Sequence, residues 1–430
     1  MKKILSLIIV MICLLVPLSV LGEQDRISPG MSLNLRQCIE IALKKHPDLT
    51  AAFHTVRIGD SRIGQARSDY YPQVNFQTGY DRSRPYVSRS GRSTGTSSVD
   101  QYAGKVSLNQ NIYDFGRTSA RVRIAGLNRD SSREDLEDVR SLIVLDVKQA
   151  YYGVLQTLEK RRVAEESVAQ FQQHLNQARG FFEVGLKPKF DVTKAEVDLS
   201  NARLELTRAE NAVRIARVNL NNAMGMPGAP EYSLEDNLFF EKTDISLEKA
   251  LAAAYENRPD LRSLVLREEA ARQNLDLART GHYPTLTGSA SYGYGGSDFP
   301  LGEGWNVGGS LNIPIFSGFL VENQIFEAKE NIEVFSAEVE SLKQRVRLEV
   351  EQALSNLQEA AGRIETAEVV VRQAEENREL AEGRYTSGVG NPIEVTDALQ
   401  ALRNAKVSRI SALADYKSAQ ADLENAMGMK

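Results

Sequence analysis

The chain has 430 residues, a formal net charge of −5 and charged side chains at 25% of its positions. A balance that is not basic argues against nucleic acid as a partner, and this length suggests two or three domains. Two cysteines and four scattered histidines offer neither a disulfide framework nor metal-ligand spacing. We therefore expect no metal site and no cofactor.

Residues 1–22 have the pattern of a secretory signal peptide. Lys2 and Lys3 precede an apolar stretch from Ile4 to Val16, and a cleavage-like region follows up to Gly22. The alternative is an uncleaved membrane anchor, for which the apolar stretch is short. We favour cleavage.

Cleavage of this segment gives a mature chain that begins at Glu23 and has a net charge of −5 − 2 = −7. Cys13 is lost with the signal peptide. Met11 and Ile12 precede it instead of the small residue that a lipoprotein signal needs, so we expect no lipid anchor. Cys38 is then the only cysteine left, and it cannot form an internal disulfide.

The mature chain consists of two copies of one unit, predicted at residues 23–226 and 227–430. Matching segments lie 212 residues apart early in the unit and 203 residues apart later. The first copy therefore has 212 − 203 = 9 extra residues, in a polar loop around residues 81–100. The matched positions include Pro47-Asp48 with Pro259-Asp260, Tyr71-Pro72 with Tyr283-Pro284, and Met224-Gly225-Met226 with Met427-Gly428-Met429.

Each copy has two segments in which apolar and polar residues alternate, which predicts strands with one apolar and one polar face. We place the four strands at about residues 72–84, 100–113, 284–294 and 305–316. Each is long enough to cross a bilayer when tilted, and their ends carry aromatic residues, as in an interfacial girdle. A soluble β-sandwich is the alternative, but four strands among so much helix make a poor sandwich.

Long helical patterns follow each pair of strands. We predict helices at about residues 117–181, 189–224, 319–385 and 392–427, the longest of them roughly 100 Å in length at 1.5 Å per residue. Apolar residues that step by three or four positions form a seam for helix-on-helix packing. In the two copies the seam runs through Val139, Ile143, Val147, Ala150, Val154 and Leu158, and through Val346, Val350, Ala353 and Leu357.

A turn with shared sequence joins the two long helices of each copy. The turns read ARGFFEVGLKPKFDVTKA from Ala178 and AEGRYTSGVGNPIEVTDA from Ala381. Each has an aromatic residue, then a glycine three positions later, and then an acidic residue followed by Val and Thr. We refer to these turns as the first and second tips.

Four strands cannot close a barrel by themselves, and a sheet in lipid must close because every backbone polar group needs a partner. The smallest bacterial barrels have about eight strands. Two chains would give about eight strands and a filled interior, whereas three would give about twelve and an interior wide enough for a lumen. The predicted inward faces are polar, which suits a water-filled pore.

The signal peptide, the duplicated unit, the strand pairs, the long helices and the RYxxGxxxxxEV tip together resemble the TolC-type outer membrane efflux proteins. The resemblance covers the whole mature chain. It implies a mixed α and β membrane protein: a homotrimer with a twelve-stranded β-barrel in the lipid of the outer membrane, continuous with a long periplasmic coiled-coil barrel. It also implies a periplasmic adaptor protein and an inner-membrane pump, of RND or ABC type, as partners.

The resemblance also assigns roles at the tips. Glu394 and Asp397 lie three residues apart on one helical face, and in a trimer they would ring the periplasmic mouth with six carboxylates, which favours cations. The alternative is that they are ordinary acids near a helix N-terminus. Tyr385 and Asp191 match positions that hold the closed tip by hydrogen bonds in the family.

The family pattern has a basic residue two positions after the second tip glycine, and here that position is Gly390. Lys187, Lys189 or Lys194 could take its place. The surface that meets the adaptor corresponds to Gly185-Leu186 and Gly388-Val389. These glycines could also serve only to allow positive φ in the turn.

The sequence contains no P-loop, no HExxH and no nucleophile elbow, so we expect no enzyme activity. The leading hypothesis is a passive exit duct of a tripartite efflux or type I secretion system. A periplasmic coiled-coil scaffold without channel activity is the alternative. The sequence does not specify the cargo.

Overall fold

A computed structural model of the chain describes residues 30–84 and 98–429. The predicted signal peptide at 1–22, with Cys13, and the centre of the long loop at 81–100 lie outside these residues. Cys38 is buried and, within the described ranges, is a free thiol.

The two copies contain the same elements in the same order. The first has β1 (Ser32–Leu33), α1 (Leu35–Lys45), α2 (Pro47–Arg67), β2 (Gln73–Ser83), β3 (Val99–Tyr113), α3 (Arg117–Glu183) and α4 (Lys189–Ala223). The second has β4 (Ser233–Leu234), α5 (Leu247–Asn257), α6 (Pro259–Arg279), β5 (Thr285–Gly296), β6 (Gly302–Asn312), α7 (Leu320–Thr386) and α8 (Pro392–Ala426).

The last strand differs from the sequence prediction. The alternation of apolar residues placed it at 305–316, with Ile313 and Ile315 on the apolar face. In the structure β6 begins at Gly302 and ends at Asn312. Pro314 has no N–H to donate to a sheet ladder and ends the strand, so that part of the prediction was wrong.

Strands β2, β3, β5 and β6 form one antiparallel sheet in that order. Their registers align the predicted faces across all four strands. One row joins Phe76, Val106, Tyr292 and Trp305, and the next row joins Gln77, Lys105, Gly293 and Gly304. The sheet therefore has one apolar and one mainly polar face, and within the described residues the outer edges of β2 and β6 have no strand partner.

The helices form two rows of four that share α3 and α7. In the half next to the sheet the order is α2, α3, α6, α7, and in the half next to the tips it is α4, α3, α8, α7. Helices α3 and α7 run through both rows with 67 residues each. Helices α4 and α7 are the two ends of the row next to the tips.

The shared Met-Gly-Met segments place the half-length helices end to end. Gly225, after α4, and Gly428, after α8, both have a φ of +68°, which favours glycine. A Cβ on Gly225 would lie 2.9 Å from Cα of His46, just before α2, and a Cβ on Gly428 would lie 2.8 Å from N of Arg258, just before α6. Only glycine fits at these two junctions, which we call the equator.

The apolar seam predicted on the long helices lies in the core at the equator. Ile143, Val147 and Val154 of α3 are buried with Cys38 and Leu220, and the matching Val346, Val350, Ala353 and Leu357 of α7 are buried with residues of α5, α6 and α8. The short strands β1 and β4, which the sequence did not predict, pair in parallel beside the first of these clusters. Across the described ranges, no helix is both long enough and apolar enough to span a bilayer.

Candidate functional site

The two tips have the same backbone conformation. Gly185 and Gly388 have φ values of +77° and +79°. One residue later, the N–H of Leu186 donates to the carbonyl of Phe181 at 2.8 Å, and that of Val389 donates to the carbonyl of Arg384 at 3.1 Å. These are the bonds that close a helix with a left-handed glycine, so both turns stop a long helix and reverse the chain in the same way.

The residues predicted to meet an adaptor lie at the outer end of the molecule. Leu186 is 70% exposed and Val389 is 73% exposed. A Cβ on Gly185 or Gly388 would meet open space. The side chains of Leu186 and Val389 are therefore in solvent at the two turns, where a partner could reach them, and their role in binding an adaptor stays a prediction.

Tyr385 and Asp191, predicted to act together, are in contact. Tyr385 is fully buried, and its hydroxyl donates to Oδ2 of Asp191 at 3.4 Å. Asp191 is 3% exposed and lies in the first turn of α4. Burial raises the pKa of Tyr385 to about 12, and the charge of Asp191 contributes to the increase. The contact therefore joins the second tip, through α7, to the first tip, through α4.

Lys187 takes part in a second contact between the tips. Its amine donates to the carbonyl oxygen of Gly390 at 3.1 Å and lies 5.2 Å from the centroid of the Tyr385 ring. A Cβ at Gly390 would lie 2.7 Å from N of Tyr385, so a basic side chain does not fit at that position here. Lys187 and Gly390 are equivalent positions of the two copies, 390 − 187 = 203 residues apart.

Lys189 and Lys194 were the other two lysines that could replace the basic residue, and Lys194 is already paired with an aspartate. Lys194 donates to both oxygens of buried Asp198 at 2.6 and 2.7 Å. Asp198 also accepts a hydrogen bond of 2.8 Å from Thr396 of α8. Lys189 is exposed at the first position of α4. The hydrogen bond from Thr396 to Asp198 therefore joins α8 to α4, whereas the pairing of Lys194 with Asp198 lies within α4.

Glu394 and Asp397 both have exposed side chains on the first turns of α8. Glu394 pairs with Arg384 at the end of α7, with Nε and Oε2 3.2 Å apart. The sequence pattern did not predict this partner. Asn391 caps α8 by accepting from the N–H of Ile393 at 2.9 Å, so the acidic pair also lies where a helix N-terminus favours negative charge.

His174 is a buried tip residue that the sequence analysis missed. It lies on α3, and its ring centroid is 5.2 Å from that of Tyr385, which belongs to the apolar cluster of Phe171, Leu175 and Ala178. The steps of three and four between these four residues of α3 place His174 on the apolar seam, and that spacing is a signal that the sequence contains. In the described part of the chain, no three His, Cys, Asp or Glu side chains are grouped as metal ligands.

Comparison with known proteins gives a consistent picture. The model of the outer membrane efflux protein family matches residues 38–226 and 250–429. The chain is 24% identical over 447 residues to outer membrane protein TolC of Escherichia coli K12, covering 100% of this chain and 87% of TolC. It is 26% identical over 339 residues to outer membrane efflux protein BepC of Brucella suis, covering 77% of this chain and 71% of BepC.

A solved structure shares the fold. The outer membrane protein VceC of Vibrio cholerae superposes with a TM-score of 0.77 at 19% identity, covering 92% of this chain and 96% of VceC. The family model covers most of the chain, in two segments that follow its internal repeat. The chain belongs to the outer membrane efflux protein family.

Proposed function

We propose that three copies of this outer membrane efflux protein close into one duct, which passively conducts substrate from the periplasm to the exterior. The sheets would form a twelve-stranded barrel in the outer membrane, and the helical rows would form a tunnel in the periplasm. No catalysis is part of this proposal. Adaptor and pump would supply the substrate and the energy.

The open sheet is the observation that carries the proposal. Its four strands have one continuous apolar face, and the edges of β2 and β6 lack strand partners within the described residues. Unpaired backbone groups are not tolerated in lipid, so the sheet must be completed by other chains. Three sheets of four give an even number of strands and an interior wide enough for water.

The helical rows support the same closure. Helices α4 and α7 are the two ends of the row next to the tips, and each has large apolar side chains exposed to solvent. On α4 these are Val197, Leu204, Ile215 and Val218, and on α7 they include Leu348 and Leu380. If α4 of one chain packs against α7 of the next chain, both sets of side chains are removed from water, which is favourable. The same arrangement of three chains would thus close the open edges of the sheet and of the helical row.

At the periplasmic end we propose that the tips form the gate. The contacts from Tyr385 to Asp191 and from Lys187 to Gly390 hold the two tips of one chain together. Breaking them would let α7 and α8 move away from α3 and α4 and widen the mouth. Glu394 and Asp397 would then line the constriction. Because Arg384 neutralises Glu394 in part, we assign most of the cation preference to Asp397.

The exposed residues Gly185, Leu186, Gly388 and Val389 are proposed to bind a periplasmic adaptor, which joins the duct to an RND or ABC pump of the inner membrane. Two nearly identical turns on one chain would offer six similar docking positions in a trimer. Cargo choice would then belong mainly to the pump.

The test is the assembly state and location of the protein. We expect it in the outer membrane fraction as a complex that runs as a trimer in unheated detergent gels and as a monomer after heating. Deletion of its gene should abolish export while the pump remains intact. A periplasmic scaffold would instead be released by osmotic shock as a detergent-free soluble protein, and this result would refute the duct.

A further inference from the structure

His174 combines deep burial with polar atoms that have no partner. It is 4% exposed, and neither Nδ1 nor Nε2 has a hydrogen-bond partner among the described residues. A neutral imidazole has one N–H to donate and one nitrogen that accepts. Buried polar groups are nearly always hydrogen-bonded, and each exception in a native structure requires an explanation.

Charged and titratable groups face His174 from two neighbouring helices. From α4 these are Asp191, Asp198 and Lys194, and from α7 it is Tyr385, whose ring is 5.2 Å away. The carboxylates are already engaged, since Asp198 binds Lys194 and Thr396 while Asp191 accepts from Tyr385. His174 therefore lies beside the gate contact without a bond to it.

The packed tip accommodates the neutral imidazole better than the imidazolium. A protonated His174 would have two N–H donors without acceptors in an apolar cluster, and burying such a charge is costly. Burial lowers the pKa of His174, although the charges of Asp198 and Asp191 oppose this effect. A solvated imidazole would keep an ordinary pKa.

We propose that His174 makes the gate sensitive to protons: its protonation favours a state in which α3 separates from α7 at the tip and water reaches the imidazolium. The loosened state also exposes Tyr385 and Asp191 and so weakens the contact that closes the tip. This proposal rests on the function proposed above only in treating the tip as a gate. The proton-dependent loosening is a property of each chain.

The direction of the pH dependence follows from proton linkage. The loosened state binds the proton more tightly, because the pKa of His174 is lowered only in the packed state. The packed tip therefore has its full stability above about pH 6.5, the ordinary histidine value. It loses stability as the pH falls below that value, until the pH reaches the lowered pKa and the effect levels off.

The experiment measures the tip directly in the detergent-solubilised full-length protein. Hydrogen exchange at the C2 position of histidine, read by mass spectrometry, reports the titration of each histidine in the wild type and needs no variant. We expect His174 to titrate below the ordinary histidine value of about 6.5 and its C2 hydrogen to exchange more slowly than that of the exposed His54. The amide exchange rate of peptides from the tip ends of α3 and α7 is divided by that of equator peptides around Leu220 at the same pH, which removes the intrinsic pH dependence of exchange. We expect this ratio to increase severalfold from pH 7.5 to 5.5.

His174→Phe keeps a ring against Tyr385 and removes both nitrogens, so the pH-dependent increase should disappear. His54→Gln, at an exposed site on α2, should leave the increase unchanged. An ordinary titration of His174 would overturn the proposal, and so would a pH response that survives in His174→Phe. Neither readout depends on conduction, so a failure here is distinct from a failure of the duct, which the trimer and export tests detect.

Discussion

Tyr385→Phe tests the proposed tip gate with the loss of one oxygen atom. The variant keeps the ring packed against His174 and Phe181 and removes the hydroxyl that donates to Asp191 at 3.4 Å. Asp191 remains buried, but without this donor. The packed tip is therefore destabilised relative to any state in which water reaches the carboxylate.

The size of the effect follows from the geometry. A hydrogen bond to a charged group contributes about 1.5–3 kcal/mol, and a distance of 3.4 Å is long for an O–H donor, which places this bond at the weak end of that range. A loss of about 1.4 kcal/mol changes an equilibrium tenfold. We expect the ratio of open to closed channel in Tyr385→Phe to rise roughly tenfold.

The assay is single-channel recording in planar bilayers, with Tyr416→Phe as the matched control. Tyr416 is also buried and also loses a donor bond, of 2.7 Å to the carbonyl of Glu241, but it packs in the core at the equator. The control should lower thermal stability and leave opening unchanged. If Tyr385→Phe opens no more often than the wild type, or if Tyr416→Phe opens equally often, Tyr385 does not hold the gate.

The other predictions concern the proposed constriction at Glu394 and Asp397 and the equator. Glu394→Gln combined with Asp397→Asn should weaken block of the channel by multivalent cations, with Asp397→Asn alone giving most of the change; an unaltered blocking concentration in bilayers would remove both residues from the constriction. Gly428→Ala should lower the free energy of unfolding by about 1–3 kcal/mol, because its φ of +68° and its 2.8 Å approach to N of Arg258 exclude a Cβ. Gly180→Ala, a helical site with open space, is the control and should be neutral or stabilising in thermal melts.

Periodicity in the sequence is sufficient to predict most of the fold. The strand faces followed from alternation, and the registers align those faces as expected. The ends of the four long helices were predicted to within two residues, because a glycine or proline lies beside each turn. The predicted end of β6 at residue 316 was wrong because Pro314 cannot continue a strand ladder, and β6 ends at Asn312.

Contacts between particular side chains at the tips could not be predicted from the sequence. Lys187 was only one of three lysines that could serve, because its reach to Gly390 depends on how the first tip packs against the second. The pairing of Arg384 with Glu394 depends on the angle between α7 and α8. Periodicity assigns a residue to a face but does not specify which atom lies opposite. His174 shows the same limit, since its spacing predicts burial and not the missing hydrogen bonds.

The open row of strands also constrains the route of assembly. Within residues 30–84 and 98–429, a single chain has two free sheet edges, those of β2 and β6. Adding a second chain side by side covers one sheet edge of each chain and still leaves two free edges. Only ring formation removes the last pair, so partial oligomers remain as prone to non-specific strand addition as the monomer. We therefore expect intermediates to be short-lived or guarded by chaperones, and the finished ring to accumulate without a stable dimer.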